Sequence, residues 1–114
     1  MPNRTISVAQ DFSRYPGPRY RRDGSFSGEQ FREEILAPAL RNAVAGGGRL
    51  HVLIDGVAGY GSSFLDEAFA GLLRNGFSFR DVQNHLSIEA ETPRFAAHRV
   101  RADRYIDEER RRRG

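Results

Sequence analysis

Apolar positions along the chain follow two periods. Residues 5–8 alternate, with Ile6 and Val8 on one side, and residues 86–91 repeat that pattern, so both predict short strands. The run Leu50, His51, Val52, Leu53, Ile54 is almost continuously apolar and predicts a central strand buried on both faces. Phe31, Ile35, Leu36, Leu40 and Val44 recur at helical spacing after a capping box formed by Ser27 and Gln30, and the pattern stops at Gly46, Gly47 and Gly48. Glu29, Arg32, Glu33 and Arg41 fall mostly on the opposite face of that helix.

A second helix carries the stripe Phe64, Leu65, Ala68, Phe69, Leu72 and Leu73, with Ser63 and Asp66 as its expected capping box and Asn75 and Gly76 closing it. A short helical turn over residues 79–84 precedes the last strand. Thr92 then caps a final helix with Pro93 at its first position, running towards Glu109 with Phe95, Val100 and Ile106 inward. Strands alternating with helices predict an α/β fold: a small mixed β-sheet with helices packed mainly on one face. Residues 11–25, with Pro16 and Pro18, predict an irregular connection and are the candidate source of a fourth strand.

The length of 114 residues suits one domain, expected over residues 1–109. The net charge of +3 arises at the end of the chain, where Arg110, Arg111, Arg112 and Arg113 follow one another; without them the body is close to neutral. A basic, disordered tail over residues 110–114 is therefore expected. All basic residues are arginine, which is assigned no functional weight. The chain has no cysteine, which excludes disulfides, thiolate metal sites and a cysteine nucleophile. No apolar run of roughly 18 residues predicts a membrane span and the first ten residues do not resemble a signal peptide, so a cytoplasmic location is expected.

The informative stretch is Gly56, Val57, Ala58, Gly59, Tyr60, Gly61, Ser62, Ser63, set between the strongest strand and a helix. Its G-x-x-x-x-G spacing is that of a phosphate-binding loop, but Ser62 stands where such a loop needs lysine, and the chain contains no lysine. A glycine-rich turn is favoured over nucleotide hydrolysis. Asp55, at the carboxyl end of the strand, is either a site residue or a hydrogen-bond partner of the following turn.

From His51 to Leu73 the sequence reads H-V-L-I-D-G-V-A-G-Y-G-S-S-F-L-D-E-A-F-A-G-L-L, and from Asp23 to Leu40 it reads D-G-S-F-S-G-E-Q-F-R-E-E-I-L-A-P-A-L. In order and spacing these stretches resemble a STAS-like domain, related to the STAS modules of sulfate transporters and anti-sigma-factor antagonists. Ser63, Phe64, Asp66, Glu67 and Phe69 carry the signature. The resemblance implies a regulatory module that binds a histidine-kinase-like ATPase and is released when phosphorylated on a serine at the loop-to-helix junction. Ser62 and Ser63 both occupy that junction. Antagonist domains commonly carry Asp immediately before the serine, and Gly61 stands there here.

The candidate partner-binding or switch residues are therefore Asp55, Tyr60, Gly61, Ser62, Ser63, Phe64, Asp66 and Glu67. Phosphate at a helix N-terminus is physically accommodated and would repel a partner requiring a neutral surface. Tyr60 is expected to supply an interface contact. The plainer alternatives are Ser63 as a helix cap and Asp66 and Glu67 as carboxylates favoured at the positive end of the helix.

No catalytic residues, metal or cofactor are expected. His51, His85 and His98 are scattered, and no G-x-S-x-G turn supports a serine nucleophile. A second copy is a further candidate partner. The alternative function is nucleic-acid binding through Arg14, Arg19, Arg21 and Arg22, interleaved with Tyr15 and Tyr20, or through Arg110–113.

Overall fold

A computed structural model describes residues 3–114. Met1 and Pro2, part of the expected 1–109 domain, lie outside the described residues. Strand β1 (Arg4–Ser7) runs straight into a one-turn helix α1 (Val8–Asp11). Ser7 Oγ accepts from Gln10 N at 3.2 Å and Asp11 Oδ2 accepts from Ser7 N at 2.8 Å. This reciprocal cap ends the strand before Val8, which the alternating pattern had included.

Helix α2 is continuous through Gly28–Phe31, Arg32–Leu36 and Ala37–Gly46, its middle segment wound as a π-helix. Pro38 follows that segment. It has no N–H to offer Glu34 O and its ring would crowd that carbonyl in regular α geometry, so widening the preceding turn keeps the helix continuous. The expected ends both form: Ser27 Oγ accepts from Gln30 N at 2.9 Å, and Gly47 closes the helix in the left-handed region at φ 70°.

Strand β2 (Leu50–Leu53) leads through the glycine-rich loop to helix α3, made of Ser62–Leu65, a π segment Asp66–Ala70, and Gly71–Arg74. Helix α4 (Phe79–His85), strand β3 (Leu86–Glu89) and helix α5 (Pro93–Arg113) complete the chain. The expected disordered tail is instead the last turn of α5. Glu109 is buried there and accepts from Arg74 at 2.8 Å and Arg112 at 2.5 Å, which holds the basic run in helical form.

The three strands lie in sequence order and are all parallel, with Ile6 beside Val52 and Val52 beside Ile88. The α/β architecture stands, but the sheet is parallel rather than mixed. Residues 11–25 add no strand; after Asp11, the last residue of α1, they form a loop whose only regular element is a single 3-10 turn, Arg21–Asp23. Leu50, Val52, Leu86 and Ile88 are buried beneath the helices, while His51, Leu53, Ser87 and Glu89 are half-buried on the other face. The central strand is thus buried on one face, not two, and His51 bonds to Glu89 across the open side. Among the described residues, no helix is long and apolar enough to cross a membrane.

Candidate functional site

The loop after β2 is fastened from three directions. Asp55 accepts from Glu91 N at 2.8 Å, Thr92 N at 3.0 Å and Thr92 Oγ1 at 2.7 Å, tying the end of β2 to the start of α5. Partial burial raises its pKa, but these hydrogen bonds outweigh that and leave the carboxyl below its ordinary value. Gly56 takes φ 89°, which favours glycine, and lets the chain turn beside Ala9. Ala58 N donates to Arg14 O at 2.8 Å, and Ala58 O accepts from Arg94.

Tyr60 is buried, contrary to its expected place at an interface. Its hydroxyl donates to Ile54 O at 2.7 Å, and its ring packs against Phe64 at 5.5 Å, His98 at 5.6 Å and Phe95 at 6.1 Å. Burial, with a smaller contribution from Asp55, raises the phenol pKa far above its ordinary value. The sequence left Tyr60 in a polar, glycine-rich loop; what draws it inward is the apolar floor supplied by α3 and α5.

Gly61 is the N-cap of α3, and no side chain caps that helix. The expected box of Ser63 and Asp66 does not form because the helix starts two residues earlier, with Gly61 rather than Ser63 as its N-cap, and Asp66 is held by two arginines. Gly61, Ser62 and Ser63 are exposed, and the space around Gly61 is open: a Cβ there would meet nothing within 4 Å. Phe64, by contrast, is fully buried and stacks on Phe31 at 6.1 Å.

Asp66 and Glu67 belong to an ionic network between α2, α3 and α5. Arg19 reaches Asp66 at 2.6 Å from the 11–25 loop, and Arg74 reaches it at 2.9 Å from about two helical turns further along α3. Partial burial opposes ionisation of Asp66, yet these two guanidinium groups hold its pKa below the ordinary value. Glu67 is buried and bonds to Arg32 at 2.5 Å, and the same guanidinium nitrogen donates to Glu67 O at 2.9 Å. Arg32, expected on the outer face of α2, is 4% exposed.

The crossing of α2 and α3 depends on glycines. A Cβ on Gly28 would stand 2.6 Å from Phe64 O, and one on Gly71 would stand 2.5 Å from Arg32 Nη1. Gly28, Phe31, Arg32, Phe64, Glu67 and Gly71 therefore fit together as one helix-helix joint. Much of the signature that suggested a binding surface builds this joint. Arg32 and Gly71 were missed as functional residues of the fold; the spacing of Arg32, four residues after Gly28 and four before Leu36, was the available signal.

The sequence-predicted set thus divides. Gly61, Ser62 and Ser63 stand together on the surface, Asp66 lies at its edge, Asp55 fastens the loop base, and Tyr60, Phe64 and Glu67 face inward. Residues 27–94 match the model of a family described as a STAS-like domain of unknown function (DUF4325), and the match takes in both halves of the helix-helix joint. No curated protein matches the chain, and no solved structure matches it.

Proposed function

The chain belongs to this family of STAS-like domains, and on that premise we propose that it is a non-enzymatic regulatory module that acts by binding a protein partner. The proposed partner is a histidine-kinase-like ATPase, engaged through the exposed start of α3. Phosphorylation of Ser62 or Ser63 would then release it.

The observation that carries this reading is the contrast between the two sides of one short segment. Gly61, Ser62 and Ser63 are exposed, while the residues before and after them, Tyr60 and Phe64, are anchored in the core. A surface presented on so fixed a base loses little conformational entropy on binding. The serines occupy the first positions of a helix, where added phosphate meets favourably oriented N–H groups and requires no unfolding.

The test is a titration against such an ATPase recovered from the native cell. Ser63→Glu and Gly61→Trp are expected to weaken the complex at least about tenfold, the scale of one buried contact at an interface. Gly61→Trp is informative because a Cβ on Gly61 meets nothing within 4 Å in the free protein, so a bulky side chain there starts from open space and stands in the way of a partner. Unchanged affinity in both variants removes the loop from the interface.

The arginine segments favour this reading over nucleic-acid binding. Arg19 pairs with Asp66, Arg21 with Glu33 and Glu34, and Arg110 and Arg111 with Asp107, so much of their charge is neutralised within the molecule.

A further inference from the structure

The pairing of arginines with carboxylates fails at one place that matters for the exposed loop. Arg94 and Arg101 on α5 make no ion pair among the described residues, and His98 stands between them. Positions 94, 98 and 101 share one face of a helix. Arg101 Nη1 lies 3.3 Å from His98 Nδ1, and the His98 ring packs on Tyr60. Arg94 donates to Ala58 O, and its Nη2 would lie 3.7 Å from a Cβ on Gly59. Arg14, whose carbonyl accepts from Ala58, has no carboxylate partner among the described residues either. Of the acids at this end of the sheet, Asp55 already uses both oxygens on Glu91 N and Thr92, Asp11 accepts from Ser7 N, Glu89 bonds to His51, and Glu91 is exposed and forms no ion pair with Arg94. Partial burial first, and then the charges of Arg101 and Arg94, hold the His98 pKa below its ordinary value, as expected beside cations without counterions.

We propose that Arg94, His98 and Arg101, together with the turn at residues 59–63, form a docking face for an acidic protein segment. The inference rests on the reading of that turn as the partner site and specifies the partner's chemistry. Seven residues of helix separate Arg94 from Arg101, about 10 Å, a span matched by carboxylates three residues apart in a polyproline-II segment, where every third side chain shares one face. Charge complementarity of this kind steers encounter and fixes register. It also gives phosphate at Ser62 or Ser63 a defined effect. The added negative charge repels the acidic segment and competes for the same cations.

The experiment is an NMR titration of the isotope-labelled chain, following backbone amides. The probes are a ten-residue peptide with glutamates three positions apart, its lysine counterpart, and a ten-nucleotide oligothymidine. The glutamate peptide is expected to shift amides at residues 59–63 and 94–101, and the lysine peptide to leave them unmoved. Arg94→Gln with Arg101→Gln should weaken the glutamate peptide about fivefold, as expected for two exposed ion pairs, while Arg113→Gln should not.

Arg101→Gln alone keeps the Arg94 contact to the loop and provides a second variant, expected to weaken the peptide about twofold, as one such pair does. No shift with the glutamate peptide, or shifts confined to residues 110–113, overturns the proposal. Tighter binding of oligothymidine to the same amides overturns it in favour of nucleic acid. Peptide binding without any ATPase partner leaves the acidic docking face standing and removes the ATPase. An ATPase that binds the double variant with unchanged affinity does the reverse.

Discussion

Arg32 on α2 and Glu67 on α3 face each other at 2.5 Å where the two helices cross, and both side chains are almost wholly withdrawn from water. A charge pair in that position is costly to form but far costlier to break, because removing one member leaves the other buried without a counterion. Glu67→Ala or Arg32→Ala should therefore lower stability by about 3–5 kcal/mol in urea denaturation. Arg32→Met combined with Glu67→Met should recover most of that loss. Additive losses in the double variant would contradict this account of the joint.

The glycines of the same joint should respond in opposite fashion to Gly61. Gly28→Ala places a methyl against the fixed carbonyl of Phe64 and should cost about 1–3 kcal/mol, the usual range for overpacking. Gly61→Asp has open space, an N-cap backbone of φ −78° and ψ 153°, and a better capping side chain. It should raise stability by about 0.5 kcal/mol. Thermal melts of the two variants check both signs.

Tyr60→Phe removes the hydroxyl that satisfies Ile54 O and should lower stability by about 1–2 kcal/mol. The buried phenol also makes the native state sensitive to alkali. Its folded pKa is raised above the unfolded value of 10.0, so its contribution is complete below pH 10 and is lost as pH rises beyond it. Stability of the wild type should thus fall more steeply above pH 10 than that of Tyr60→Phe, measured by urea midpoints across that range.

Asp66 gives the opposite dependence. Arg19 and Arg74 lower its folded pKa beneath the ordinary 3.8, so its contribution is present above pH 3.8 and is lost as pH falls through the folded value. Asp66→Asn should be less stable at neutral pH and should show a shallower decline in stability below pH 4. An unchanged acid slope would mean that the two arginines do not favour the ionised carboxylate.

The elements most readable in the sequence were those marked by backbone chemistry. Ser27 and Gly47 bound α2 because a hydroxyl acceptor and a left-handed glycine have few other uses at those positions, and Pro93 marks the start of α5, although the Thr92 hydroxyl donates to Asp55 and does not cap the helix as expected. Burial was read less well wherever polarity and location part company. Arg32 and Glu67 were assigned to the surface by their charge, although each satisfies the other inside. Tyr60 was assigned to an interface by its loop, although Phe64, Phe95 and His98 arrive from two helices to enclose it. The length of α5 was underestimated because its last turn depends on Glu109 and Arg74, partners 35 residues apart. Of the candidate site, Gly61, Ser62 and Ser63 were legible from position alone; the basic face beside them was not, since it required knowing that α5 returns to the loop.

The central claim is that the start of α3 is a partner-binding surface switched at serine. Its most direct test is to capture a histidine-kinase-like ATPase on the tagged chain with and without ATP, cross-link the complex, map the linked residues, and weigh the intact chain. The account predicts cross-links to residues 59–63, weaker capture with ATP, and one added phosphate on Ser62 or Ser63. Cross-links confined to the open face of the sheet, or capture that ATP leaves unchanged and the chain unmodified, would contradict it.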